Sequence, residues 1–162
     1  MGSDQNFVAA ARIAGLLKAR HETIAVAESA AGGLISAALL AVPGASAYFV
    51  GGGVIYTGVA RERLLGIGAA DLAGVRPATQ AYARLLAERM RAHLGTTWAL
   101  AETGASGPSG NRYGDAPGHA CIALSGPREI ATTIETGSAE REPNMWRFAR
   151  EALELLERAL AQ

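Results

Sequence analysis

The chain is short of several things, and each shortage removes a class of protein. Cysteine occurs once, as Cys121. No disulfide can close within the chain and there is no CxxC metal pair. Cys121 sits in an apolar run and reads as core filler. Net charge is missing too: 15 Lys and Arg balance 15 Asp and Glu. There is thus no electrostatic reason to expect nucleic acid or an anionic membrane as the main partner. Every apolar run is broken by glycine, proline or a charge before it reaches the length of a bilayer. Met1-Gly2-Ser3-Asp4 has no basic region followed by an apolar core, so no secretory signal is expected and the expected location is cytoplasmic. His21, His93 and His119 are scattered with no pair at metal-ligand spacing, and neither a metal nor a cofactor is expected. No GxGxxG follows a strand and there is no GxxxxGK[ST], which removes the dinucleotide-binding and P-loop fingerprints.

What remains is a globular composition, 162 residues and 49% apolar, enough for one domain with a proper core. The stretch that organises it is Ala27–Gly33, AESAAGG. It lies between the apolar run Ile24–Ala27 and the small-residue run Leu34–Val42, the layout of a buried strand, a tight turn and a helix. Unpaired N–H groups and the helix dipole favour an anion at such a turn. A phosphate, or an oxyanion formed on a substrate carbonyl, fits there. The plainer alternative is that Ser29 caps the helix and Gly32 and Gly33 allow close packing.

In order, the pattern predicts a helix over 5–20 capped by Asp4 and a strand over 23–27. A helix follows over 30–41, stopped by Val42-Pro43-Gly44, then a strand over 47–56 with a bulge or turn at Gly51-Gly52-Gly53. A short helix starts near Gly58 and ends at Gly66. A loop over 67–74 leads to a helix over 77–94 that opens on Pro77 and turns Leu85, Leu86, Met90 and Leu94 inward. A strand over 97–102 runs into a long glycine-rich loop, Thr103–Gly118, of the kind that usually binds something. Strands over 119–125 and 129–135 form a hairpin, and an amphipathic helix covers 143–161. Trp98 and Trp146 read as core. The order predicts a three-layer α/β fold with a mixed sheet. Ligands in open α/β sheets bind beyond the carboxyl ends of the strands. If the strands run parallel, the turns at 27–33, 55–58 and 102–110 meet, and Ser29, Tyr56, Thr103 and Ser106 face one cleft.

These stretches resemble the C-terminal domain of the CinA competence/damage-inducible proteins, which also occurs alone as nicotinamide-nucleotide amidase. The matching motifs are Ala27–Gly33, Val42–Ser46, Tyr56–Gly66 and Thr103–Gly110. The resemblance covers nearly the whole chain. It implies a three-layer α/β/α sandwich, a homodimer, and hydrolysis of the carboxamide of nicotinamide mononucleotide to nicotinic acid mononucleotide and ammonia. The separate N-terminal domain of full-length CinA proteins has no match, so no pyrophosphatase function is carried over. Ser29, Tyr56 and Arg61 become the candidate catalytic residues. Glu28, Ala30, Ala31, Gly32, Gly33, Thr103, Gly104, Ser106, Gly107 and Arg141 become candidates for holding a small nucleotide substrate.

The departures from the family pattern are pointed. Ala30-Ala31 replaces Cys-Thr, and Thr57-Gly58 replaces Ser-Asn. Arg61 stands where the family has the lysine proposed to pair with the serine. A desolvated lysine can become neutral and take the serine proton, whereas arginine stays protonated. The expectation is therefore an amidase with a degenerate site, the alternative being a nucleotide- or anion-binding module that has lost efficient catalysis.

Overall fold

Large and small apolar residues alternate along the two central strands, and that alternation sets the layers. The computed structural model describes residues 2–162. The strands are β1 (Ile24–Glu28), β2 (Phe49–Val54), β3 (Trp98–Ala105), β4 (His119–Ser125) and β5 (Ile130–Glu135), in the sheet order β2-β1-β3-β4-β5. β1 is parallel to β2 and β3, while β4 is antiparallel to β3 and β5. The helices are α1 (Gly2–Arg20), α2 (Leu34–Leu40), α3 (Gly58–Leu65), α4 (Gln80–Leu94) and α5 (Arg141–Leu160).

Side chains point to opposite faces at successive strand positions. Ile24, Val26, Trp98, Leu100, Ile122 and Leu124 therefore share one face and pack with α1, α2 and α5. Ala25, Ala27, Ala99, Ala101, Cys121 and Ala123 share the other and pack with Tyr82, Ala83, Leu86 and Met90 of α4. The same parity carries the polar ends of the strands: Glu28 and Glu102 fall on the α2 face, and Thr103 on the α4 face.

α2 is short, and its N-cap residue, Gly33, has φ 103° and no capping side chain. The helix start is satisfied from the strand instead. Glu28 is fully buried, and its carboxylate accepts the N–H groups of Gly33 (2.8 Å), Ile35 (3.1 Å) and Ser36 (2.9 Å) and the Ser36 hydroxyl (2.8 Å). Four donors and a positive dipole end surround one carboxylate, which makes its burial tolerable.

Several boundaries differ from the sequence expectation. Asp4 lies inside α1 rather than capping it. Residues 30–33 are turn, not helix, so Ser29 caps nothing. The irregularity in β2 falls at Val50, where Ile24 pairs with Phe49 and Ala25 with Gly51; the glycines keep regular register. α4 starts three residues after Pro77, because Ala78 takes φ 61° and the Thr79 hydroxyl caps the helix by accepting from Tyr82 N–H. Leu94 is 39% exposed and does not face the core. β3 continues through Thr103–Ala105, since these residues pair with His119–Cys121, and this shortens the expected loop. Trp98 is buried and Trp146 half-buried.

Removing the Glu28 carboxylate leaves these donors unpaired in the interior. Glu28→Ala is expected to cost about 3 kcal/mol, at the upper end for a stranded buried polar group. Urea unfolding measures it, and a loss below about 1 kcal/mol, typical of an ordinary helix cap, would show that the carboxylate does not organise the turn.

Candidate active site

The parallel strands β1, β2 and β3 end on the same rim, and the segments that follow them meet there. Ser29, Tyr56, Arg61, Tyr82 and Thr103 line a cavity of about 580 Å³, closed on its other side by Leu72–Ala78 and by Asn111, Arg112 and Tyr113. A smaller recess of about 220 Å³ adjoins it, lined by Ala30, Tyr56, Gly104, Ser106, Gly107 and Arg141. Tyr56 and Gly104 border both. Arg141 donates to the Gly107 carbonyl (2.6 Å) and to the Tyr56 hydroxyl (3.0 Å), so the first turn of α5 is laced to the segment after β2.

Arg61 comes from the first turn of α3, which the Thr57 hydroxyl caps by accepting the Ala60 N–H (3.1 Å). Its Nη1 donates to the Tyr82 hydroxyl at 3.4 Å, and its guanidinium lies 5.9 Å from the Tyr82 ring centre, within cation–π range. Its Nε is buried with no partner. Among the described residues no carboxylate forms an ion pair with it, and Asp71 pairs with Arg89. Gly58 leaves room for the guanidinium, since a Cβ there would stand 3.4 Å from Nη2.

Four of the expected substrate-binding residues line neither the main cavity nor the recess: Glu28, Ala31, Gly32 and Gly33. Three of the four N–H groups expected to hold an oxyanion or phosphate, those of Ala31, Gly32 and Gly33, are already taken. Glu28 accepts from Gly33, and the Ser29 carbonyl accepts from Gly32. Glu102 Oε2 accepts from Ser29 N–H (3.0 Å) and Ala31 N–H (2.9 Å). The protein supplies its own anions to the helix start, which corrects the reading of Ala30–Gly33 as an open anion cradle. Burial pushes the Glu102 carboxyl up to about 7, helped by the charge of Glu28 and opposed by the N–H groups of Ala31, Ser29 and Ala30.

The wall formed by residues 72–78 is held from behind. Ala78 N–H donates to the Thr103 hydroxyl oxygen (3.1 Å), and His119 Nε2 donates to the Ala78 carbonyl (2.8 Å). His119 Nδ1 faces the Glu135 carboxylate at 2.5 Å. Both ring nitrogens thus face acceptors, an arrangement that only the imidazolium satisfies fully. Burial opposes that charge, but Glu135, the Ala78 carbonyl and Asp115 outweigh it and hold the His119 pKa above its ordinary value. Arg76 grips Asp115 at 2.8 and 3.3 Å, and Arg76 and Arg112 both stack on Tyr113, 5.0 and 5.1 Å from its ring centre.

Sequence reasoning passed over Arg76, Tyr82, Glu102 and His119. Glu102 had a signal, a lone charge inside the apolar strand WALAETGA. Tyr82 had none, because it reads as one more apolar position of α4. Among the described residues, no group of three or more His, Cys, Asp or Glu stands ready to hold a metal ion, and no helix is long and apolar enough to cross a membrane.

The molecule is thus a three-layer α/β domain with a hydroxyl- and arginine-lined cleft at the carboxyl ends of its parallel strands. The chain belongs to the CinA C-terminal domain family, whose pattern it matches over residues 6–160. A CinA-like protein of Anaeromyxobacter dehalogenans is 39% identical over 144 residues, covering 89% of this chain and 35% of the relative. One from Gloeobacter violaceus is 37% identical over 161 residues, covering 98% of this chain and 38% of the relative. The chain therefore spans only about a third of the length of these curated relatives. Among solved structures, a CinA-superfamily protein from Klebsiella pneumoniae superposes with TM-score 0.90 at 25% identity, covering 96% of this chain and 98% of that one. The competence/damage-inducible protein CihA from Agrobacterium tumefaciens superposes with TM-score 0.89 at 28% identity, covering 98% and 96%.

His119 gives a pH prediction. A histidine whose folded pKa is raised adds stability that is full below its unfolded pKa of about 6.5 and is lost as pH rises through the folded value. Thermal melting of the wild type is expected to fall more steeply above that pH than melting of His119→Gln. Parallel curves for the two proteins would show that the contact to Ala78 does not depend on the imidazolium.

Proposed function

We propose that this cleft takes a mononucleotide bearing a carboxamide, nicotinamide mononucleotide being the expected one. On this reading the domain is a nicotinamide-nucleotide amidohydrolase-like protein with weak turnover. The observation that carries it is Arg61, a guanidinium lining the same cavity as Ser29, with no carboxylate partner among the described residues and a buried Nε that none of them meets. An unpaired cation beside an aromatic ring and a row of hydroxyls suits a ligand that joins a ring to a phosphate.

Ser29 is the nucleophile on this reading. Among the described residues its hydroxyl has no hydrogen bond to a histidine, lysine or carboxylate, and Arg61 cannot accept its proton. Tyr56, held by Arg141, is left to handle the proton, directly or through water. With the N–H groups of Ala31, Gly32 and Gly33 filled, the developing oxyanion falls to Arg61 and to the Thr103 hydroxyl, which accepts from Ala78 and keeps its own proton to donate. The missing base equally favours the second reading, an anion-binding module that has lost efficient catalysis. On either reading the partner is a small nucleotide rather than nucleic acid or membrane. The exposed Val50 and Val54 on edge strand β2 support pairing with a second copy.

Calorimetric titration with nicotinamide mononucleotide, run beside an ammonia-release assay, tests this. Arg61→Ala is expected to weaken binding about tenfold or more, the usual loss for a hydrogen bond to a charged group. Arg61→Lys is expected to release ammonia faster than wild type, and Ser29→Ala to release none while melting normally. Robust wild-type turnover that survives Arg61→Ala would defeat the proposal.

A further inference from the structure

Glu102 belongs to the Ser29 turn but not to the cleft. It ends the apolar run of β3 on the α2 face, is fully buried, and meets the turn from below. One oxygen, Oε2, accepts the N–H groups of both Ser29 and Ala31, at 3.0 and 2.9 Å. The other, Oε1, is buried with no partner. Among the described residues no lysine, arginine or histidine forms an ion pair with it. From β1, Glu28 is the ionisable group whose charge acts on it, and that carboxylate is fully occupied by α2. From the turn it meets only the N–H groups of Ser29, Ala30 and Ala31.

We propose that Glu102 is a positioning residue for Ser29, its carboxyl fixing the turn that presents the hydroxyl to the cleft and the state of its proton setting how firmly that turn is held. This rests on the reading of Ser29 as the reacting group. Ionised, Oε2 holds two N–H groups by charge-assisted bonds, about twice as strong as neutral ones. Protonated, the carboxyl holds them weakly, and the proton rests on Oε1, the oxygen that no donor occupies. Glu28 differs in its contacts, because four donors use both of its oxygens. The two carboxylates divide the work. Glu28 anchors the helix start, and Glu102 ties Ser29 and Ala31, which precede it, to the neighbouring strand. Burial places the exchange of the Glu102 proton near neutrality, at about 7, where it alters the turn under ordinary conditions.

The backbone amide resonances of Ser29 and Ala31 report this directly, followed from about pH 5.5 to 8.5 in wild type and in Glu102→Gln, the range that brackets the proton exchange. In wild type both are expected to titrate together with a midpoint near 7. In Glu102→Gln, whose amide oxygen can accept the same two N–H groups, both are expected to stay flat. The kcat for ammonia release from nicotinamide mononucleotide should follow the same midpoint in wild type and lose it in the variant, with KM little changed. Flat amides in wild type, an unchanged titration in Glu102→Gln, or a kcat profile indifferent to the substitution would each overturn the proposal. If Glu102→Gln fails to fold, Glu102→Asp takes its place, and an unmoved midpoint there counts against it. Absence of ammonia release from wild type at every pH would remove the amidase reading alone; the amide titration would still decide whether Glu102 holds the turn.

Discussion

Two buried carboxylates under one turn hold the working end of this molecule together. Glu28 and Glu102 stand on neighbouring parallel strands and reach into the same segment, Ser29–Ser36, one gripping the start of α2 and the other the backbone at Ser29 and Ala31. Bare, that helix start would attract an external anion. Filled from within, it is closed to an outside anion, and the cleft is lined by the side chains and loops around it. The arrangement brings two acids into the interior, and only Glu28 is fully compensated by donors. Glu102 keeps an orphan oxygen and a pKa near neutrality as the residue of that imbalance.

The cleft shows the reverse electrostatics. Arg61, Arg76, Arg112 and Tyr113 line it, and Arg141 closes the adjoining recess. Asp115 neutralises Arg76, and Arg141 is spent on the Gly107 carbonyl and the Tyr56 hydroxyl. Arg61 is left with an aromatic face and a phenol as its neighbours. Its position fits recognition of an anion better than proton transfer. The rear wall adds a second charged element in His119, which Glu135 holds and which donates to the Ala78 carbonyl, while the Thr103 hydroxyl accepts the N–H of the same left-handed residue.

The main features of the fold were legible because they rest on local rules. The helix stop at Gly66, the β4–β5 hairpin and the amphipathic α5 follow from glycine conformation and periodicity. The family membership was legible in the motifs at 27–33, 42–46, 56–66 and 103–110, and with it the mixed-sheet α/β architecture. Less legible were the ends of elements. Pro77 looks like a helix start, yet the contact from Ala78 to Thr103, distant in sequence, delays α4 to Gln80. The glycines of Thr103–Gly118 look like loop, yet pairing with His119–Cys121 draws Thr103–Ala105 into the sheet.

The sequence by itself determined the layers, since the large–small alternation in Ile24–Ala27 and Trp98–Ala101 commits each strand face to a helix layer by parity alone. It also placed Ser29, Tyr56 and Thr103 at strand ends that must converge once the strands run parallel. Only the tertiary structure decided what the polar groups there do. Glu28 reads as a ligand in the motif and proves to be an internal cap; Glu102 reads as a strand terminus and proves to support Ser29. Hydrogen-bond donors are claimed by whichever acceptor the packing brings within about 3 Å. Residues 28 and 102 lie nearly half the chain apart, so no local pattern could say that both would arrive at the same turn.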